Sequence, residues 1–136
     1  FLSGGLDSSV IAGSASENYT PNEMLTFTMG FENSYYDETS DARLVANRFK
    51  TNHIEEKAKG ITPDELNKIV WNLDEPFADS SAIPTYLICE AAKKYVTVAL
   101  SGDGGDELFG GYGRVQRSPM DWKKVFYQHS HGRHKN

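Results

Sequence analysis

A chain of 136 residues has room for one domain with a sizeable core. Its net charge of -5 and pI near 5.3 leave no basic stripe to neutralise a phosphate backbone, which excludes a dedicated nucleic-acid binder. No apolar run approaches the roughly 20 residues of a membrane helix, and with Cys89 as the only cysteine neither an intrachain disulfide nor a cysteine-based zinc cluster can form, so a reducing cytoplasmic setting fits best.

Apolar and polar segments alternate in a strand-then-helix rhythm, the pattern of an α/β protein with a parallel sheet. Phe1-Leu2 reads as the end of a buried strand already under way, and with no Met before it the chain reads as a piece of something longer. The loop Ser3-Gly4-Gly5-Leu6-Asp7-Ser8-Ser9 follows, continuing from Ser8 to about Glu17 as a helix. Met24 to Phe31 has the β-branched and aromatic content of a strand. Asp37 to Phe49 carries Ala42, Val45, Ala46 and Phe49 on one helical face, and a short strand is expected around His53 to Glu56. Thr62, Pro63 and Glu65 form a helix start of N-cap, first-turn proline and capping-box glutamate, with the helix running to about Trp71. A loop from Leu73 to Pro84 precedes a helix from about Ile83 to Lys94, for which Ser80 or Ser81 is the expected cap. Tyr95 to Leu100 is the clearest buried strand and ends in Ser101-Gly102-Asp103-Gly104-Gly105-Asp106-Glu107. From about Gln116 the chain is polar and without a period.

The first constellation is strand, glycine loop, helix. Glycines let backbone approach a ligand, and a helix N-terminus offers unpaired N–H groups with a positive dipole end, an arrangement that holds phosphate oxyanions. The hydroxyls of Ser3, Ser8 and Ser9 are further donors. Asp7 implies Mg2+, because a carboxylate beside phosphates repels them unless a cation intervenes. The Gly-Lys-Ser/Thr ending of a Walker A loop is absent, as is a clean Gly-x-Gly-x-x-Gly after a strand. The plain alternative is a serine-rich N-cap and turn, with Asp7 and Ser8 as caps.

The second constellation, Ser101 to Glu107, also follows a strand and adds Asp103, Asp106 and Glu107. Ligands in open α/β sheets sit beyond the carboxyl ends of the strands, so two such loops can face one pocket; alone, the segment would be an ordinary turn. The third is the loop Leu73 to Tyr86, whose carboxylates individually read as solvated loop residues.

Together, Ser3 to Ser9, Thr26 to Phe31, the helix opened by Tyr36-Asp37-Glu38, the Asp74 to Tyr86 loop and Val98 to Tyr112 resemble the synthetase domain of glutamine-hydrolysing asparagine synthetases, over roughly Phe1 to Arg114. The resemblance implies a twisted parallel sheet flanked by helices, of the adenine nucleotide α-hydrolase (PP-loop ATP pyrophosphatase) type. A partial synthetase domain over residues 1–115 would be followed by a polar tail or truncated next element over 116–136. The implied substrates are ATP, aspartate and ammonia: the aspartate side-chain carboxylate attacks the α-phosphorus, pyrophosphate leaves, and ammonia displaces AMP from β-aspartyl-AMP to give asparagine. By the same resemblance Asp7 and Asp106 hold Mg2+ and pyrophosphate, while Ser3, Gly4, Gly5 and Ser8 wrap the phosphates. Backbone around Phe1 and Met29 meets adenine, Ser101 and Gly102 meet the ribose or α-phosphate side, and Asp103 lies near the reacting centre.

Partners implied are small molecules and, in the parent chain, a glutaminase domain, with a homodimer as a candidate assembly and neither nucleic acid nor membrane. The chain departs from the family in lacking a cysteine-initiated glutaminase domain. Cys89 lies in a helical pattern and reads as a buried small hydrophobe. The transition-state lysine expected after the second loop is unmatched by Lys123 or Lys124. His129, His131 and His134 read as a solvated tail rather than a metal site, and Trp71 and Trp122 as ordinary aromatics; Tyr86 and Tyr112 stand out beside the family segments. The competing readings are a related ATP pyrophosphatase adenylating another acid, as in β-lactam synthetases or guanylate and NAD synthetases, and a nucleotide-binding fragment without turnover.

Overall fold

In the computed structural model, which describes residues 1–33, 35–75 and 78–112, the elements are α1 (Leu6–Ser16), β1 (Leu25–Gly30), α2 (Thr39–Phe49), β2 (Asn52–Lys57), α3 (Pro63–Leu73), α4 (Ala82–Ala92) and α5 (Gly105–Phe109). The chain divides into two compact units, Phe1–Gly102 and Asp103–Asn136, with every element but α5 in the first. It is an α/β protein with a small parallel sheet. The expected tail, with Trp122, Lys123, Lys124 and its three histidines, lies outside the described residues, as do Ser34, Pro76 and Phe77.

β1 and β2 pair in parallel, from Leu25 opposite Asn52 to Gly30 opposite Lys57, and α2 is the crossover that parallel pairing requires. Phe1–Leu2, expected as the end of a strand, lie against β1 without forming one: the two described strands make the sheet. The Leu2 amide donates to the Phe27 carbonyl at 2.9 Å and the Phe1 nitrogen to the Leu100 carbonyl at 2.5 Å. The core is built from small residues: Leu2, Ala12, Ala42 and Ala46 are buried, with Met24, Val45 and Phe49 packed against them. The four residues expected on one face of α2 are all in this cluster. Phe49 lies over Gly13, where a Cβ would stand 2.9 Å from the ring. Alanine and glycine thereby let the two helices approach closely.

Local signals were followed closely at α3. The Glu65 amide donates to the Thr62 hydroxyl at 3.2 Å, and the Thr62 amide donates back to the Glu65 carboxylate at 2.8 Å, which completes the capping box. The Thr62 amide, then its hydroxyl and Lys59, hold the Glu65 carboxyl down to about 2.

Three expectations are corrected. Tyr95 to Leu100 is not a strand: the amides of Tyr95 and Val96 both donate to the Ala92 carbonyl, so the segment leaves α4 as a turn. Beyond it, Phe1–Leu2 offer too short an edge for a ladder, and Val98 and Leu100 are exposed. Tyr95 itself stacks obliquely on Phe27, with ring centres 5.8 Å apart. Cys89 is in α4 as expected, but on its exposed side. The α4 cap is neither Ser80 nor the Ser81 side chain; Asp79 accepts from the Ser81 amide at 2.8 Å, and this bond chiefly lowers the Asp79 carboxyl. Among the described residues no helix is long and apolar enough to cross a membrane.

Candidate active site

The glycine loop occupies the turn between Phe1–Leu2 and α1. Gly4 has φ +88°, and a Cβ there would stand 2.6 Å from the backbone carbon of Asp41 in the first turn of α2. Left-handed backbone and contact with a helix both demand glycine, so Gly4 has a packing reason beside its expected ligand role. Gly5 is the N-cap of α1 with no side chain capping the helix, so Asp7 and Ser8 are not caps. The first-turn amides are thereby left without a side-chain acceptor, as an anion site requires.

The serine hydroxyls are turned onto the loop itself. Ser8 Oγ accepts from the Ser3 amide at 3.2 Å, lies 3.0 Å from Ser3 Oγ and donates to the Gly5 carbonyl at 3.1 Å. Ser3 Oγ accepts from the Gly5 amide at 3.1 Å, and Ser9 Oγ donates to the Gly5 carbonyl at 2.7 Å. With one proton per hydroxyl, Ser8 and Ser9 brace the loop, and Ser8 is buried while doing so. Asp7 is half-buried in the first turn and takes no hydrogen bond from the described residues.

The second constellation reaches the first through Gly102. A Cβ on Gly102 would stand 2.7 Å from the Ser8 amide nitrogen and 3.1 Å from Asp7, so Ser101–Gly102 run directly against the first turn of α1. Phe1, Ser3, Gly4, Gly5, Asp7, Ser8, Ser101 and Gly102 are thus gathered in the first unit, while Met29 lies near the carboxyl end of β1. Asp103 and Asp106 belong to the second unit, where Gly104 (φ +90°) opens α5. There the Asp106 carbonyl accepts from the Gly111 amide at 3.1 Å, Gly111 lies on the Asp106 carboxylate, and the Tyr112 hydroxyl donates to Glu107 at 2.6 Å. The expected loop from Ser101 to Glu107 is therefore partly helical.

No three acidic, imidazole or thiol side chains converge among the described residues. Asp7 offers one carboxylate, the kind of donor Mg2+ takes beside water and substrate phosphates.

Between the exits of β1 and β2 and the start of α4 lies an open cavity of about 710 Å³, lined by Phe31, Glu32, Tyr36, Lys59 and Pro84 among others. It stands at the carboxyl ends of the strands, where open α/β sheets bind ligands. Lys59, one residue beyond Ala58 at the β2 exit, pairs with Glu65 at 3.2 Å and Glu90 at 3.8 Å, and the Glu65 bond raises its pKa. Sequence reasoning passed over Lys59; its place just past a strand's carboxyl end was the available signal. In the third constellation Asp74 closes α3 in a left-handed conformation, φ 62°, and Tyr86 is half-buried on α4.

The Asparagine synthase family profile matches residues 1–134. The chain belongs to the asparagine synthase family. A Methanocaldococcus jannaschii protein carrying the provisional name asparagine synthetase (glutamine-hydrolyzing) 2 is 50% identical over 113 residues, covering 82% of this chain and 22% of that protein. Asparagine synthetase (glutamine-hydrolyzing) 1 of Bacillus subtilis is 47% identical over 127 residues, covering 90% and 19%. The asparagine synthetase (glutamine-hydrolyzing) of Zea mays is 31% identical over 141 aligned positions, covering 93% and 23%. The chain therefore spans about a fifth of the length of these asparagine synthase relatives.

Proposed function

We propose that the chain is the nucleotide-binding part of an ATP-dependent amide-forming ligase that makes asparagine, on an adenine nucleotide α-hydrolase sheet running to about residue 115. The observation that carries this reading is the contact of Gly102 with the first turn of α1, which brings the start of the second family-matching segment onto the first. The uncapped amides of α1 receive the pyrophosphate end of ATP, and the Ser3–Gly5 turn wraps it. Ser8 acts by holding Ser3 and the Gly5 peptide in place. The Phe1 and Met29 backbone meets adenine, and Ser101–Gly102 meet the ribose and α-phosphate.

In this scheme the aspartate side-chain carboxylate attacks the α-phosphorus and pyrophosphate leaves with the electrons of the broken P–O bond. Ammonia then attacks the acyl carbon of β-aspartyl-AMP, AMP leaves, and the nitrogen loses a proton to give the amide. Asp7 and Asp106 would be the residues to hold Mg2+, which would supply neutralisation of charge developing on the phosphate oxygens. Asp103 stands near the reacting centre. Such transfers are accelerated by positioning and charge neutralisation. Glutamine hydrolysis in the full-length protein supplies the ammonia.

Calorimetry with Mg-ATP tests the nucleotide site. The unaltered full-length protein is expected to bind, and Asp7→Ala to weaken binding about tenfold or more, the scale of one charge-assisted contact. Equal affinities in the two proteins would remove Asp7 from the site.

A further inference from the structure

The end of β1 is held from two sides. From β2, the Ala58 amide donates to the Gly30 carbonyl at 2.8 Å. From the entry to α2, Asp37 Oδ1 accepts from the Phe31 amide at 3.4 Å and from the Thr39 hydroxyl and amide at 3.0 and 3.4 Å; Oδ2 takes the same hydroxyl at 3.1 Å. Gly30 allows this approach: a Cβ there would stand 3.0 Å from Thr39 Cγ2 and 3.5 Å from Asp37 Oδ1. The Thr39 hydroxyl chiefly lowers the Asp37 carboxyl, with Phe31, Thr39 amide and Arg43 acting in the same direction.

A carboxylate that only capped α2 would have no need of Phe31. By bonding to Phe31 as well, Asp37 sets the path of the chain two residues after Met29, at the point where backbone leaves the sheet. A strand exit that contacts a ligand through its main chain has no rotamer to adjust, so its position must come from neighbours. We infer that Asp37 is a positioning residue for the nucleoside half of ATP, fixing the Met29–Phe31 backbone through its bond to the Phe31 amide; this rests on the proposal that adenine meets Met29.

Affinities for Mg-ATP and for Mg-pyrophosphate, measured by calorimetry in the full-length protein, separate this role from capping. Asp37→Ala is expected to weaken ATP about fivefold to tenfold, the scale of one ordinary hydrogen bond, and to leave pyrophosphate within about twofold. Asp37→Asn, which keeps an acceptor oxygen, should restore most of the loss. Thr39→Val, which removes the hydroxyl bonded to Asp37 and spares Phe31, should bind ATP normally. Parallel losses for ATP and pyrophosphate in Asp37→Ala, or an equal loss in Thr39→Val, would overturn the assignment in favour of helix capping. Photolabelling of the unaltered protein with 2-azido-ATP tests the underlying placement separately. Label within residues 25–31 supports it, and label confined elsewhere overturns it whatever Asp37→Ala does.

Discussion

Gly102 stands where one methyl group would meet the backbone of α1 at 2.7 Å. The neighbour is a peptide nitrogen and cannot rotate away, so Gly102→Ala must displace either the loop or the helix start, a strain of about 1–3 kcal/mol. Mg-ATP affinity is expected to fall about tenfold or more with the secondary structure retained; calorimetry alongside circular dichroism reads both. His53 carries a different consequence. Its side chain is 9% exposed, Nδ1 meets the Thr26 hydroxyl at 2.9 Å, and Nε2 is buried without a hydrogen bond among the described residues, 3.9 Å from Glu55. Burial, assisted by Arg43, pushes its pKa below the ordinary value although Glu55 pulls the other way. The unfolded chain therefore takes up this proton first, and stability falls as pH drops below about 6.5 until the lowered folded-state value is passed. Denaturant midpoints measured across that window should show the slope, and His53→Asn should flatten it; an unchanged slope would mean other groups carry it. Which residue types the glycine loop needs was legible in the sequence, because phosphate binding, tight turns and helix starts each select them. The direction of each hydroxyl was not. Ser3, Ser8 and Ser9 all looked like ligand donors, and only their mutual distances show Ser8 and Ser9 bracing the loop.

Elements whose signals are local came through intact. Thr62, Pro63 and Glu65 lie within four residues of one another, and the capping box forms as their order dictates. Thr62→Ala is expected to cost about 1 kcal/mol and to speed hydrogen exchange at the amides of the first turn of α3. Unchanged exchange there would mean that packing of Ile69 holds the helix by itself. Of the two serines expected to cap α4, Ser81 takes the N-cap position but with helical backbone, φ -69° and ψ -17°, and its hydroxyl makes no capping bond, which no local rule announced. Tyr95 to Leu100 failed for the opposite reason, since a strand is a relation between segments. Its composition suits a sheet interior, but its first amides are claimed by the end of α4. The helix faces were easier: Ala42, Val45, Ala46 and Phe49 needed only a 3.6-residue period.

At the scale of the whole molecule, family membership and the contact of Gly102 with α1 support one activity, while the chain spans about a fifth of its relatives. Residues that are near in space but 94 apart in sequence, such as Ser8 and Gly102, could be paired beforehand only through the rule that ligands gather beyond the carboxyl ends of parallel strands. That rule also marks the cavity beside Lys59, at the exits of β1 and β2. The central claim is that this site activates a carboxylate on ATP. Exchange of labelled pyrophosphate into ATP, measured in the full-length protein with Mg2+ and without ammonia or glutamine, tests it most directly. The account predicts exchange that depends on aspartate and is lost in Asp7→Ala and in Asp106→Ala. Exchange supported by another acid and not by aspartate, or full exchange in either variant, would contradict it.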